Sequence, residues 1–434
     1  TKATPSVNND ISTFIFPSGD FSDFNVNLGT TEFYTTTGLT DGTTLYILPP
    51  ISYAGNMLLS PLGNTTMGDN MVLPNVGSLT IYGDLSMDGA SFTSAIGLSW
   101  NTNNSFYGFS DFYPTVEKTV YIHGNLNVNG GSFTFFDDTQ PQHLIVDKNV
   151  NISSSNGACI IVWDRTYGFQ PYHGGPTIAN TFAIGGDLIN NGTTNISYPV
   201  FSGLNLYCNS ATPHYVDVTF FGSDNSVVTG SGRINYHNVT VNKGTSQETT
   251  LTWNSTGTLT TLTDNWLTLQ NGTLIYNRTG DLNISTTTDF TVPGTSGLTI
   301  NTPSNVYIAN NASSEYVYLQ GKLTLLSGNI YVGPPGDMNN NADIEYSGGG
   351  NSAIDIQGGQ LVVNGQIRRN PSSTVGVLSY NQTNGAVIIN GNNPVVTRAK
   401  LEVCNTGSVF NMSGGTLTIV KGGGTTYGDL YIRP

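Results

Sequence analysis

The residues that most resemble a binding site lie between positions 337 and 345, where oxygen-bearing side chains alternate with other residues. They are Asp337, Asn339, Asn341, Asp343 and Glu345. Calcium binds carboxylate and amide oxygens, and calcium loops begin with this alternation. The segment departs from that pattern at Ala342, where the loop requires glycine, and it lacks the distal bidentate glutamate. It predicts a calcium site, with an asparagine-rich turn as the alternative.

One pair of adjacent carboxylates, Asp137 and Asp138, could perform acid–base chemistry on a glycosidic bond, with His143 nearby. Neighbouring residues of a strand point to opposite faces, so only one carboxylate would face a given groove. The sequence favours a solvated turn here. Residues 163–165 (Trp-Asp-Arg) and His173 suggest a site only loosely, and the chain has no P-loop or HExxH motif. We therefore expect no catalytic residues.

The chain is poor in charge for its length of 434 residues. Charged residues make up 10% of it and the net charge is −14, whereas ordinary soluble domains carry about 25% charged residues. The acidic balance argues against a nucleic-acid partner, which needs a basic face. The 52 glycines, with many Thr and Asn residues, argue against a helical bundle. No stretch reaches the roughly 18 apolar residues of a membrane span.

The three cysteines are far apart and odd in number. They fit no metal spacing and no dense disulfide framework. One bridge, Cys159–Cys208, is conceivable, but buried free thiols are the favoured interpretation.

One short element recurs along the chain: Asp or Asn, an apolar residue, any residue, and a second apolar residue. Copies begin at Asp84, Asn125, Asn149, Asn238, Asp281, Asn305, Asn329 and Asp429. Apolar side chains two residues apart lie on one face of a strand. The glycine that often precedes the copies favours a corner because it accepts positive φ, and Asx side chains bond their own backbone there. Each copy therefore predicts a corner followed by a short strand.

The spacing of the copies indicates the architecture. Asn125 and Asn149 are 24 residues apart, and the 41 residues between Asp84 and Asn125 are close to two such periods. Self-similarity at this period is typical of solenoids, whose turns bury their apolar faces against neighbouring turns. We predict an all-β fold, a right-handed parallel β-helix (β-solenoid). Tandem β-sandwich domains are the alternative, because their strands also alternate.

We predict two regions in the chain. Residues 76–434 form the solenoid, with irregular coils of about 20–26 residues each. Residues 1–75 show the repeated element poorly and form an N-terminal cap or small β module, since a solenoid must protect its first turn.

The middle positions of the repeated element carry small polar residues and tyrosines. They are Ser86, Asn127, Asn151, Thr240, Asn283, Tyr307, Tyr331 and Tyr431. Such residues stack as ladders between turns of an exposed sheet, and this is the favoured interpretation. They could also bind sugars, since tyrosine offers an apolar plane with a polar hydroxyl.

The repeats resemble those of a known class of proteins. Residues 83–89 (GDLSMDG), 124–130 (GNLNVNG) and 414–419 (GGTLTI) look like the low-charge β-helical repeats of large bacterial surface adhesins. They are most similar to surface proteins of Bacteroidetes, including the gliding-motility adhesins exported by the type IX system. The resemblance covers residues 76–434. It implies an extracellular, cell-surface stalk or adhesin that belongs to a longer chain or assembly.

The function that the resemblance implies is structural and adhesive, without catalysis. A stalk would present loops and a polar face to a surface or glycan, and it would depend on cell-surface anchoring or secretion machinery. A β-helix polysaccharide lyase or glycosidase is the alternative, and a groove of clustered Asp, Arg or Lys would favour it. A viral tail fibre or spike is the second alternative, which a trimer would favour.

Overall fold

The computed structural model describes the chain in separate stretches. They are residues 11–13, 29–34, 45–47, 55–60, 70–72, 78–89, 95–97, 117–135, 140–155, 157–162, 179–192, 203–208, 214–261, 263–311, 315–337, 341–347, 351–373, 375–390, 399–420 and 429–433. These stretches form strands and contain no helix. Nearly all strand pairs are parallel, and the sheets are stacked as a β-solenoid, which confirms the predicted fold class.

The strands are short and follow one another closely. In the first half of the chain they are β1 (Ile11–Thr13), β2 (Thr30–Tyr34), β3 (Leu45–Ile47), β4 (Asn56–Ser60), β5 (Asn70–Val72), β6 (Ser78–Ile81), β7 (Leu85–Asp88), β8 (Ala95–Gly97), β9 (Lys118–Ile122), β10 (Leu126–Gly130), β11 (Ser132–Phe135), β12 (Gln142–Val146), β13 (Val150–Ile152), β14 (Cys159–Val162), β15 (Ala179–Ile184), β16 (Leu188–Asn190), β17 (Gly203–Asn205), β18 (Tyr207–Cys208), β19 (His214–Phe220) and β20 (Ser226–Thr229).

The second half contains some longer strands. They are β21 (Ile234–Tyr236), β22 (Val239–Asn242), β23 (Thr250–Trp253), β24 (Leu259–Thr261), β25 (Leu267–Tyr276), β26 (Leu282–Asn283), β27 (Phe290–Val292), β28 (Ser296–Ile308), β29 (Tyr316–Leu319), β30 (Lys322–Val332), β31 (Asp343–Tyr346), β32 (Asn351–Ile356), β33 (Gln360–Val363), β34 (Ile367–Arg369), β35 (Val377–Gln382), β36 (Ala386–Ile389), β37 (Leu401–Cys404), β38 (Val409–Met412), β39 (Thr416–Ile419) and β40 (Leu430–Arg433).

The chain divides into two units. The first comprises Thr1–Phe220, Val227–Asn238 and Ser255–Leu262, and the second comprises Phe221–Ser226, Val239–Asn254 and Thr263–Pro434.

In the first unit, each turn of chain adds one strand to each of three parallel ladders. The turn β9–β10–β11 is followed by the turn β12–β13–β14, and β9 pairs with β12, β10 with β13 and β11 with β14. Among the described strands of this unit, β18 and β19 are the exception, because they pair antiparallel. Parallel pairing of strands one turn apart is the defining property of a β-solenoid.

The length of a turn varies more than the sequence predicts. Leu126 pairs with Val150, 24 residues on, whereas Leu85 pairs with Leu126, 41 residues on. The prediction that 41 residues make up nearly two turns was therefore wrong, since they form one. The strands repeat at a fixed position in the turn, while the chain between them carries excursions of different length.

The second unit continues the same principle with longer strands. β28 pairs with β30 along two separate segments, at Gly297–Ile300 and again at Asn305–Ile308. One long strand therefore serves two ladders, and its register with β30 shifts between the two segments. A third ladder stacks β27, β29, β31, β34, β37 and β40.

The core lies inside the turns and is filled by alternate residues of each strand. In β10, Leu126 and Val128 are fully buried, while Asn127 and Asn129 face outward. This alternation follows from the period of two in an extended chain. The same pattern recurs in β12 and β13, and it produces the apolar–any–apolar element seen in the sequence.

The described strands of residues 1–75 share the stacking of those that follow. β2 pairs with β4 and β4 with β7. β3 pairs with β5 and β5 with β8, again in parallel. The predicted division at residue 75 stays a prediction.

Candidate functional site

The Asx residues at the corners of the first unit form a hydrogen-bonded ladder from turn to turn. Asn56 Oδ1 accepts from the backbone N–H of Asp84 at 2.9 Å, and Asp84 Oδ1 accepts from that of Asn125 at 2.6 Å. Asn125 and Asn149 accept in the same way from Asn149 and Asp187, at 3.1 and 2.8 Å. Each Asx side chain therefore satisfies a backbone donor of the next turn, which the corner would otherwise leave unpaired.

Glycine precedes these Asx residues because the ladder needs space. A Cβ on Gly124 would lie 2.3 Å from Asp84 Oδ1, and one on Gly186 would lie 2.4 Å from Asn149 Oδ1. Neither glycine has a positive φ, so our explanation from backbone freedom was wrong for both. It holds at Gly280, where φ is 104°.

The outward middle positions of the first unit form a second ladder. Asn127 Nδ2 donates to Ser86 Oγ at 3.2 Å, and Asn151 Nδ2 donates to Asn127 Oδ1 at 2.8 Å. One step further along the strand, Asn129 Nδ2 donates to Asp88 Oδ1 at 2.8 Å. Cross-strand amide and hydroxyl pairs of this kind stabilise a sheet and fix its register.

The second unit repeats this arrangement with tyrosines beside the amides. Asp281 Oδ1 accepts from the backbone N–H of Asn305 at 3.0 Å, and Asn305 Oδ1 accepts from Asn329 Nδ2 at 2.8 Å. Tyr307 and Tyr331 stack with ring centroids 5.4 Å apart, and the Tyr307 hydroxyl donates to Asp281 Oδ2 at 3.3 Å. The outward surface is thus an ordered array of amide, hydroxyl and phenol groups.

The structure separates the predicted calcium ligands. They are Asp337, Asn339, Asn341, Asp343 and Glu345. Asp337 is exposed and Asn341 is half-buried, whereas Asp343 and Glu345 are buried in β31. Asn339 lies outside the described residues. Among the described residues, no group of three or more His, Cys, Asp or Glu side chains could hold a metal ion. The calcium site stays a prediction.

The two buried carboxylates, Asp343 and Glu345, contact a guanidinium. Arg368 Nε donates to Asp343 Oδ2 at 2.8 Å, and its Nη1 donates to Glu345 Oε2 at 2.5 Å. The Arg368 side chain is only 2% exposed, and its Cζ lies 5.5 Å from the ring centroid of Tyr316. A buried charge must be paired and hydrogen-bonded, and this geometry satisfies both conditions.

Further charged residues extend this cluster onto the neighbouring strands. Glu402 Oε2 accepts from the backbone N–H of Arg369 at 3.0 Å, and Arg369 Nη1 donates to Asn405 Oδ1 at 2.6 Å. Lys400 and Glu402 are each 1% exposed. The meeting of these side chains has no signal in the sequence, because Arg368 and Glu402 are far from Asp343 along the chain and belong to no repeated element.

Burial and charge pairing have opposing effects on the pKa values in this cluster. It raises the pKa of Asp343 to about 6, against the lowering effects of Arg368 and of the hydrogen bond from the Gln366 backbone N–H. Burial alone would lower the pKa of Arg368, but Asp343 and Glu345 outweigh it, and the pKa of the guanidinium is raised. Pairing therefore outweighs burial for the guanidinium, whereas burial outweighs pairing for the Asp343 carboxyl.

The remaining chemical candidates have different outcomes. Asp137, Asp138, His173 and residues 163–165 lie outside the described residues. His143 lies on β12, where its Nε2 is 2.7 Å from Glu117 Oε1 and its Nδ1 is 2.7 Å from Thr181 Oγ1.

The cysteines are thiols where the structure describes their side chains. Cys159 and Cys404 are free and buried, so Cys159 forms no bridge to Cys208. Burial raises the pKa of Cys159 to about 12. A thiol with so high a pKa is unreactive at neutral pH.

Comparison with known proteins adds no relative. No protein-family model, curated protein or solved structure matches the chain. In the parts of the chain that the structure describes, no helix is long and apolar enough to cross a membrane. The fold defines the protein as a parallel β-solenoid, so its function must be argued from its side chains.

Proposed function

We propose that this protein is a non-catalytic, extracellular structural and adhesive surface protein. Its β-solenoid would present loops and a polar outward face for attachment to surfaces or glycans. The observation that carries the proposal is the set of outward ladders, in which side chains such as Ser86, Asn127 and Asn151 are bonded from turn to turn. Amides and hydroxyls both donate and accept hydrogen bonds, which suits a hydroxylated surface.

The ladders also support adhesion through their rigidity. Side chains that are already held in place lose little conformational freedom when they bind a partner. Asn329, for example, is fixed by Asn305, which is fixed in turn by Asp281. A repeated, fixed array can make many weak contacts at once, and their combined strength exceeds that of each contact alone.

The charged cluster gives little support to the alternative of a polysaccharide lyase or glycosidase. Such an enzyme needs accessible acids and bases within hydrogen-bond reach of a substrate. Asp343, Arg368 and Lys400 bring together the required residue types, but they are 0, 2 and 1% exposed. Their burial and pairing favour a structural role.

The resemblance to bacterial surface adhesins supports an extracellular location. Low charge and abundant Gly, Asn and Thr are shared with those repeats. Under this proposal the chain would belong to a longer protein or assembly, held at the cell surface by anchoring or secretion machinery. The class of bacteria and the type IX route are proposed on the same resemblance.

Retention on particles tests the adhesive function directly. Purified protein is mixed with cellulose, chitin and glass particles at low and at high salt, and the bound fraction is measured after sedimentation. We expect retention on at least one material that survives high salt, because uncharged hydrogen bonds are not screened. Absence of retention on all three, or the depolymerisation of polygalacturonate by the protein, would overturn the proposal.

A further inference from the structure

We propose that a groove on the second unit binds a neutral glycan chain. The inference rests on the proposed adhesive function and names the ligand class for one of its surfaces. The groove has a volume of about 340 Å³, which falls at the lower end of the range for ligand sites. It lies on the outward side of the ladder formed by β23, β25, β28 and β30.

Successive turns build the floor of the groove as a row. Thr250 pairs with Thr273, Thr273 with Gly297, and Gly297 with Lys322. Because stacked strands are about 4.8 Å apart, the row extends over roughly 14 Å along the stack. The shape therefore favours an extended chain over a compact small molecule.

A glycine keeps the row open. A Cβ on Gly297 would lie 2.6 Å from Thr273 Oγ1, so any side chain there would displace the threonine hydroxyl and fill the floor. The Thr273 hydroxyl donates to the Gln247 carbonyl at 2.7 Å, which fixes one wall. That wall is held again where Gln247 Nε2 donates to the Gly294 carbonyl at 3.0 Å.

Unengaged hydroxyls line the groove. Thr299 and Thr324 are register partners one turn apart, and Thr250 lies at the end of the neighbouring row. Among the hydrogen bonds within the described part of the chain, none engages the hydroxyls of Thr250, Thr299 or Thr324. Each can donate one hydrogen bond and accept two, which complements the hydroxyl groups of a sugar.

The charges of the groove favour a neutral ligand. Its cation, Lys322, is already paired with Asp355 at 3.1 Å, and Glu248 adds a carboxylate to the lining. An acidic polysaccharide would meet no unpaired positive charge among these described residues, and Glu248 would repel it.

The chemistry of the lining also argues against a peptide or lipid. The described residues that line the groove are Thr, Gly, Gln, Glu and Lys, with no aromatic or large aliphatic side chain. Peptide and lipid sites rely on apolar anchors in buried pockets. A hydroxyl-rich chain is the ligand class that a threonine floor can recognise.

Calorimetric titration of the full chain tests the proposal. The probes are cellohexaose, chitohexaose and maltohexaose, with hexagalacturonate as the acidic counterpart. We expect at least one neutral oligosaccharide to bind, and to bind more tightly than hexagalacturonate. The double substitution Thr299→Val with Thr324→Val keeps the shape and removes two hydroxyls, so it should weaken binding about tenfold or more.

Two further variants make the result specific. Thr250→Val removes a hydroxyl from the other row and should weaken binding independently. Thr418→Val replaces an exposed threonine of β39 outside the groove and should leave affinity unchanged. The proposal fails if no neutral oligosaccharide binds, if hexagalacturonate binds more tightly, or if the groove variants bind like the unmodified protein. Retention on particles that persists in that case would leave the adhesive function standing and reject only the groove.

Discussion

Two regions of the molecule hold neighbouring turns together by different means. The corner ladder from Asn56 to Asp187 uses half-buried Asx oxygens that accept backbone N–H groups. The cluster around Arg368 uses buried carboxylates bonded to a guanidinium. The ladder satisfies donors that would otherwise remain unpaired, whereas the cluster compensates charges that burial would otherwise make unfavourable.

The difference shows how a stack of similar turns can tolerate acidic residues. In the ladder, Asp84 lies between Asn56 and Asn125, and Asp187 follows Asn149. No two acids are neighbours there, so like charges are not brought together at the spacing of one turn. In the cluster, Asp343 and Glu345 lie together on β31. Arg368 on the paired strand β34 compensates their like charges.

The largest effect is expected from removing the shared cation of the cluster. Arg368→Met would leave two buried carboxylates without compensation, and we expect a loss of about 3–5 kcal/mol in the free energy of unfolding. Denaturant titration measures it. The matched control is Lys322→Met, which breaks a pair that is 41% exposed on the lysine side and should cost about 1 kcal/mol or less. Equal losses in the two variants would contradict the distinction between buried and exposed pairs.

Proton uptake by Asp343 should make the stability of the protein depend on pH through the cluster and not through the ladder. Its pKa is about 6 in the folded chain and 3.8 ordinarily, so the folded chain binds the proton more tightly. The resulting stabilisation is fully present below pH 3.8 and is lost as the pH rises through about 6. Between pH 7 and pH 5, the unmodified protein should gain on the order of 1 kcal/mol relative to Asp343→Asn. Denaturant titration at both pH values measures this difference. An equal change in the free energy of unfolding of the two proteins between pH 7 and pH 5 would contradict the prediction.

In the ladder, the stability of the protein should depend on the space that glycine leaves at the corner. Gly124→Ala places a Cβ against Asp84 Oδ1 and should destabilise the protein by about 1–3 kcal/mol. Gly29→Ala is the matched control, since nothing lies within 4 Å of a Cβ there. Thermal unfolding compares the two. A similar shift in both would mean that loss of glycine, not crowding of the ladder, is responsible.

The smallest effect on stability is expected from removing the negative charge of Asp84 while its hydrogen bond is kept. Asp84→Ala removes the acceptor of the Asn125 N–H and should cost about 1–2 kcal/mol. Asp84→Asn keeps that acceptor, as Asn56, Asn125 and Asn149 do in their turns, and should change the free energy of unfolding by less than about 0.5 kcal/mol. If Asn proved as disruptive as Ala, the charge of Asp84 would matter more than its hydrogen bond.

The repeated element was predictable because its causes are local. Leu126 and Val128 enter the core through the alternation of one strand. The corner is different, because Asn125 Oδ1 accepts from the backbone N–H of Asn149 in the next turn and not, as we predicted, from its own backbone. The pairing of β10 with β13 followed from the 24-residue spacing. The 41-residue spacing does not reveal that it is a single turn, because the excursion it contains has no periodic pattern.

The cluster and the groove could not be predicted in this way. Asp343, Glu345 and Arg368 lie on strands joined by connections of irregular length, so their meeting depends on how the turns stack. The same holds for Thr299 and Thr324, which line the groove and are paired across one turn. Within residues 337–345 nothing indicates that Arg368, more than 20 residues on, pairs with Asp343 and Glu345.

The sequence by itself determined the class of fold, the positions that face the core, and the low charge of the chain. These properties follow from a period of two, from corner residues, and from composition, all of which act within a few residues. The tertiary structure decided which turns are neighbours, and with them the pairing of Arg368 with two acids and the row from Thr250 to Lys322. Contacts across turns depend on the length of every intervening excursion, and a local pattern does not contain that length.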